Sequence, residues 1–207
     1  MIYRNYKNAR NEVWKFIIEQ GINSLPVDLP RICANLGVKL FTYNEKKNLI
    51  KLLDMENKIK EIDGFTAKIL NKHYIFYNSD CVKGRQNFTI AHEIGHIVLG
   101  HSEDIIFTRA ISKWNEEDNE PDYNEMQANI FASRLLAPAC VLWGLDIHSP
   151  EEISALCGLS KQASTIRAER MKVLYERNQF LKSELERKAY SQFEVFINNK
   201  RKVLEKV

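Results

Sequence analysis

One stretch, FTIAHEIGHIVLGH from Phe88 to His101, constrains this chain more than any other. It reads as a helix on apolar content and spacing, yet it places His92, Glu93 and His96 in the middle of that helix. Residues four apart lie on one helical face, one turn above the other. His92 and His96 can therefore aim two imidazoles at one point, and zinc accepts imidazole nitrogens at about 2.0–2.1 Å in tetrahedral geometry. Glu93 lies one residue on, about 100° round the helix. It is poorly placed to join the same ligand set but well placed to act on a water beside it as a general base. Gly95, with no side chain, lets another element approach the helix closely.

Two ligands do not complete a catalytic metal site. The longer pattern H-E-x-x-H-x-x-G-x-x-H would need Gly at 99 and His at 102, where this chain has Leu99 and Ser102. His101 is one residue out of that register and falls past the end of the helix near Gly100. It is expected to be an exposed loop histidine. The stronger candidate is Glu125 in DYNEMQANIFASRLLAP, which reads as a second helix stopped before Pro138. Glu125, Ala128 and Ala132 share one side of it, so the face that packs also carries a carboxylate. Asp122-x-x-Glu125 equally scans as a capping box. Spacing alone leaves both roles open.

The remaining segments predict a mixed α and β scaffold. NEVWKFIIEQG is helical with Val13, Phe16 and Ile17 on one face and a stop at Gly21; LPVDLPRICANLG is helical with Asp28 as its cap, Ile32 and Leu36 on one face, and a stop at Gly37. VKLFTY is a strand, and GFTAKI and HYIFYN form a hairpin. Residues 44–62 are charged, with Leu49, Leu52 and Leu53 marking a short helix, and Ser102 to Pro121 reads as an acidic loop or insert. Hydrophobic residues at 44% and charged residues at 28% suit a sizeable core under a polar surface.

Taken together, RQNFTIAHEIGHIVLGH and NEMQANIFASRLLAP resemble the ImmA/IrrE family of zinc metallo-endopeptidases. Its R-x-x-F-T-x-A-H-E-[LI]-G-H segment is met by Arg85, Phe88, Thr89, Ala91, His92, Glu93, Ile94, Gly95 and His96. Its E-x-x-A-N-x-F-A-x-x-L-L-x-P segment is met by Glu125, Ala128, Asn129, Phe131, Ala132, Leu135, Leu136 and Pro138. The likeness extends over roughly residues 10–175. It implies an α+β zincin-like metallopeptidase core, a small sheet plus two zinc-site helices, with a helical C-terminal extension. It also implies Zn2+ held by His92, His96 and Glu125, and Glu93 as the catalytic acid/base that takes a proton from water and hands it to the leaving amine. Tyr123, His73 and His101 are candidate donors to the transition state, and the strand Tyr74 to Asn78 is a candidate to receive an extended substrate as an added strand.

The expected organisation is a peptidase domain at 1–148 and a helical region at 149–207. Net charge is +3, but Lys161–Val207 carries 12 Lys and Arg against 6 Glu. SPEEISALCGLSKQASTIRAERMKVL resembles a small helix-turn-helix with Gly158 in the turn and Ser160 capping the second helix, from which Lys161, Gln162, Ser164 and Arg167 are expected to face outward. It could contact DNA, or pack on the protease domain or a helical regulator; the packing role is preferred. Residues 180–207 read as an amphipathic helix with Leu181, Leu185, Phe193, Phe196, Val203 and Leu204 on its apolar side. No signal-peptide core opens the chain, and the four cysteines are scattered, which together predict a cytoplasmic protein without a membrane segment. By resemblance, the function is site-selective cleavage of a helix-turn-helix transcriptional repressor, in a mobile-element or stress circuit. The alternative is a non-proteolytic DNA-binding or antirepressor protein whose zinc site is structural or vestigial.

Overall fold

The computed structural model describes residues 2–101, 106–108 and 123–204, with side chains described for 9–101 and 123–203. The chain forms two compact units: Leu29–Ala132 is one, and Met1–Asp28 with Ser133–Val207 is the other. This division does not coincide with the boundary expected at 148/149. The N-terminal helix groups with the C-terminal helices because its apolar stripe pairs with theirs, a long-range pairing that no local composition shift reports.

In the unit Leu29–Ala132, helix α2 (Leu29–Asn35) leads through Gly37, at φ +67°, into strand β1 (Lys39–Thr42). Helix α3 (Lys47–Leu52) and a 3-10 turn at Lys58–Lys60 follow, then β2 (Gly64–Ile69) and β3 (Lys72–Tyr77). The hairpin turn is the two residues Leu70 and Asn71, both at positive φ, because β3 begins at Lys72, one residue before the expected strand HYIFYN. Helix α4 (Lys83–Val98) carries the histidines; strand β4 (Ile106–Thr108) and helix α5 (Tyr123–Leu136) complete the set. The strand order is β1-β3-β2-β4, with β1 parallel to β3 and the other pairs antiparallel.

Two expectations change here. Strand β4 lies within the segment read as a loop or insert; the rest of that segment, like Asp122, lies outside the described residues. Strand β3 is paired on both sides, to β1 and β2, so Tyr74–Tyr77 has no edge to offer an extended substrate.

Alternation along β2 makes the sheet two-faced. Phe65 and Ala67 point into a cluster with Tyr43, Ile50, Met55, Ile62 and Phe76, built largely by residues 43–62. Phe65 and Phe76, directly paired in register, stack at 4.8 Å, an arrangement worth about 0.5–1.5 kcal/mol beyond burial alone. Gly64 and Thr66 point the other way, toward α4. A Cβ on Gly64 would stand 2.3 Å from Thr89 Cγ2 and 3.0 Å from the Phe76 carbonyl, so only glycine permits this contact. The middle of α4 is consequently covered all round: every residue from Thr89 to Ile94, then Gly95 and His96, is buried.

In the other unit, α1 (Ile2–Glu19) buries Val13, Phe16 and Ile17 and ends before Gly21 at φ +59°. Helices α6 (Ala139–Gly144), α7 (Pro150–Cys157), α8 (Lys161–Glu176) and α9 (Glu184–Leu204) follow the last turn of α5. Helix α9 packs on α1 and α6 through Ala189, Phe193 and Ile197, with Gly144 admitting the Tyr190 and Ile197 side chains. The apolar stripe is therefore shifted from the one expected: Phe193 is in it, Phe196 is half-buried, Val203 is exposed, and the side chain of Leu204 lies outside the described residues.

The turn between α7 and α8 has the expected form. Gly158 sits at φ +64°, Ser160 caps α8 by accepting from the Ala163 amide, and Ser149 and Glu152 cap α7 reciprocally. Ser164 and Arg167 do not face outward as expected; they are 0% and 3% exposed, and Arg167 Nε donates to the Ala137 carbonyl at 2.9 Å. That bond satisfies a carbonyl just past the end of α5, a structural duty that removes Arg167 from any surface. Among the described residues no helix is long and apolar enough to cross a membrane.

Candidate metal centre

Helices α4 and α5 meet where α4 has no side chain. A Cβ on Gly95 would lie 3.2 Å from Phe131 and 3.3 Å from the Ala128 Cα, so the small residues read from the two motifs are those that let the helices close. This approach carries Glu125, at the start of α5, up to the two histidines of α4. His92 Nε2 and His96 Nε2 are 2.9 Å apart, and Glu125 Oε2 and Oε1 lie 3.2 and 3.1 Å from them. The three residues form a group whose donor atoms could hold a metal ion. Both histidines are buried, at 2% and 1% exposure.

The donor set suits a divalent metal. Ligand atoms around a tetrahedral ion with bonds of about 2.0–2.1 Å stand about 3.3 Å from one another, close to the spacing seen here. The other ring nitrogens are already engaged: His92 Nδ1 lies 2.9 Å from Asn129 Oδ1, and His96 Nδ1 lies 3.2 Å from His101 Nδ1. With protons on both Nδ1 atoms, the two Nε2 atoms present lone pairs toward each other and toward a carboxylate. Such a convergence of acceptors is the coordination chemistry of a cation. Burial pushes the His92 imidazole below its ordinary pKa, against the Glu125 carboxylate that favours the charged ring, and so toward the neutral form a metal needs. Burial also acts to raise Glu125, but its contacts with the two imidazoles outweigh it and bring the carboxyl down to about 2.

Glu93 is 0% exposed and lies outside the donor triad. Thr66 Oγ1, on the α4-facing side of β2, donates to Glu93 Oε2 at 2.7 Å. Oε1 has no hydrogen-bond partner among the described residues, although buried carboxylates ordinarily gather several. Burial pushes this carboxyl well above its ordinary value; the Thr66 hydroxyl opposes the shift and the Glu125 charge adds to it. A carboxyl held by one oxygen, with the other unclaimed, is equipped to exchange a proton with a substrate or a water.

The structure thus brings His92, His96 and Glu125 together and sets Glu93 beside them on the same helix. It corrects one expectation: His101 is part-buried, with Nδ1 at His96 and Nε2 2.9 Å from Gln127 Oε1. Both ring nitrogens are engaged, so it is neither an exposed loop histidine nor a spare hydrogen-bond donor. Tyr123 is exposed in the first turn of α5, and His73 is half-buried on β3 opposite Lys68. Sequence reasoning passed over Thr66, Gln127 and the contact made by Asn129. Asn129 could have been found at one turn beyond Glu125 on the same face. Thr66 had as its only signal a hydroxyl in the apolar first half of a strand.

Arg85, from the first motif, pairs with Asp63 just before β2, and the same carboxylate accepts from the Cys81 thiol at 3.5 Å. These contacts tie the start of α4 to the strand that holds Thr66.

The peptidase family described as the IrrE N-terminal-like domain matches residues 44–169, which is more than half of the chain and spans both motifs. The chain belongs to this family. No curated protein sequence matches it.

Proposed function

We propose that the chain is a zinc-dependent, site-selective endopeptidase that cleaves a helix-turn-helix transcriptional repressor in the cytoplasm and so relieves repression. The observation that carries the catalytic part is the convergence of His92, His96 and Glu125 beside a buried Glu93 with one oxygen unpartnered. Two imidazoles and a carboxylate are a ligand set suited to zinc with an open position. Zinc held there would supply Lewis-acid polarisation of the scissile carbonyl and acidify water. Glu93, steadied by Thr66, takes the proton from the attacking water and delivers it to the leaving amine. A purely structural metal site has no use for a buried base in this position. Strand β4, the edge of the sheet among the described residues and paired to β2 at Gly64–Thr66 next to the Glu93 contact, offers an extended peptide a place to add to the sheet. The repressor as substrate is supported by the resemblance of the paired motifs to the ImmA/IrrE endopeptidases.

The test is co-expression of the chain, or its Glu93→Gln variant, with a repressor encoded beside it, following repressor length on a gel. Cleavage by the wild type alone is expected. Equal relief of repression by both, with the repressor intact, would establish a binding mechanism in place of proteolysis.

A further inference from the structure

Helix α4 ends in a way that returns the chain to its own metal-facing histidine. Gly100 takes φ +74°, its amide bonds to the Ile97 carbonyl at 3.2 Å, and the His101 amide reaches the His96 carbonyl at 2.9 Å. This is the paired-bond termination that a left-handed residue permits. It folds the backbone so that His101 meets the His96 ring edge-on, with centroids 5.3 Å apart and planes at 70°. The contact is Nδ1 to Nδ1 at 3.2 Å, and the far side of His101 is held by Gln127 Oε1 at 2.9 Å, two residues after Glu125 on α5.

A contact between two ring nitrogens needs one proton, and its ownership decides whether His96 can serve as a ligand. With the Gln127 carbonyl oxygen facing His101, His101 must donate from Nε2 and accept at Nδ1. His96 then carries its proton on Nδ1 and keeps the Nε2 lone pair for the triad. With the Gln127 amide reversed, its NH2 would donate to His101 Nε2, His101 would donate from Nδ1, and the His96 proton would be driven to Nε2. The relay has a polarity, and Gln127 sets it.

We propose that His101 and Gln127 are positioning residues: a two-member relay that fixes the tautomer and orientation of His96 for metal binding, as Asn129 alone does for His92. This rests on the metal reading above and goes beyond it, because it assigns a share in metal affinity to two residues outside the donor triad, His101 past the end of α4 and Gln127 on α5. It also accounts for a histidine that matches no ligand register in the sequence.

The experiment uses the full chain and two readouts. The first is zinc affinity by competition with a chromophoric chelator. Gln127→Met and His101→Phe should each weaken binding by about 10–100-fold, the usual cost of removing a partner behind a histidine ligand. Gln127→Glu, still an acceptor, should restore binding to near wild type, whereas a loss of folding stability alone would give no reason for the carboxylate to rescue. The second is nitrogen-15 NMR of the metal-free wild type, where the neutral His96 ring should carry its proton on Nδ1. Wild-type affinity in Gln127→Met, or a His96 proton on Nε2, overturns the proposal. If the wild type takes up no zinc at all, the metal reading fails, and the His96 tautomer by itself still decides whether the relay exists.

Discussion

Glu93 on α4 and Glu186 on α9 are both hidden from solvent, at 0% and 8% exposure, and burial pushes both carboxyls above their ordinary range. Their surroundings differ. Glu186 stands in the first turn of α9, where Ser183 accepts from its amide at 3.1 Å and its carboxylate accepts from the Leu181 and Lys182 amides. The charges of Arg10 and Arg134 also favour its ionised form. Among the described residues Glu93 has one hydroxyl partner, an unclaimed oxygen and a like-charged neighbour in Glu125. A buried carboxylate surrounded by donors belongs to the scaffold, because its desolvation is largely answered, though not cancelled, within the fold. One left half-partnered is costly to the fold, a cost that the proposed role in proton transfer would explain.

The largest effect should come from treating the two alike. Glu93→Gln is expected to slow repressor cleavage by about 10²–10⁴-fold with zinc content unchanged, while Glu186→Gln leaves the cleavage rate within a few-fold of wild type. Rates measured on the same repressor preparation check both, and a matching loss in Glu186→Gln would erase the distinction.

Next in size is metal content. His92→Ala, His96→Ala and Glu125→Ala should each lose most of the roughly one zinc expected per chain, as read by elemental analysis. Full retention in Glu125→Ala would return Glu125 to the role of helix cap and leave the third ligand elsewhere.

Glu186 makes a stability prediction with a definite sign. A carboxyl whose folded pKa is raised holds its proton in the native state at pH values where the unfolded chain has released it. Native stability therefore falls as pH rises from the unfolded value of about 4.5 through the raised folded one. In urea titrations, the advantage of wild type over Glu186→Gln should shrink between pH 4 and pH 7. Glu186→Ala, which removes the acceptor that the Leu181 and Lys182 amides face, should cost about 1–3 kcal/mol. A wild-type advantage that grows with pH would show that the arginine charges dominate and that Glu186 is more fully compensated than its burial suggests.

The smallest effect belongs to an exposed carboxylate used only as a cap. Ser149→Ala removes the acceptor that lies 3.2 Å from the Glu152 amide at the start of α7 and should cost about 1 kcal/mol. Hydrogen bonds from the Ser149 hydroxyl and amide hold the Glu152 carboxyl below its ordinary value, so that contribution is present above about pH 4.5 and is lost on acidification. Thermal melts at pH 4 and pH 7 report both.

What could be read from the sequence was local and periodic. The helical spacing of His92 and His96, the small residues on the packing face of α5, the breaks at Gly21, Gly37 and Gly158, and the hairpin of β2 and β3 all follow from distances of a few residues, where backbone geometry leaves few choices. The place of Glu125 beside the two histidines was legible only through the pairing of two motifs, since a capping box and a ligand look the same along the chain. Tertiary structure alone decided which edges of the sheet are open, because strand order depends on pairings far apart in sequence. It alone turned Ser164 and Arg167 inward, since the exposure of a helix face is set by what packs on it. It also placed Thr66 on Glu93 and His101 between His96 and Gln127. A hydrogen bond spanning 26 or 27 residues leaves no periodic trace in the sequence, and its geometry exists only once the sheet and the two helices have closed around it.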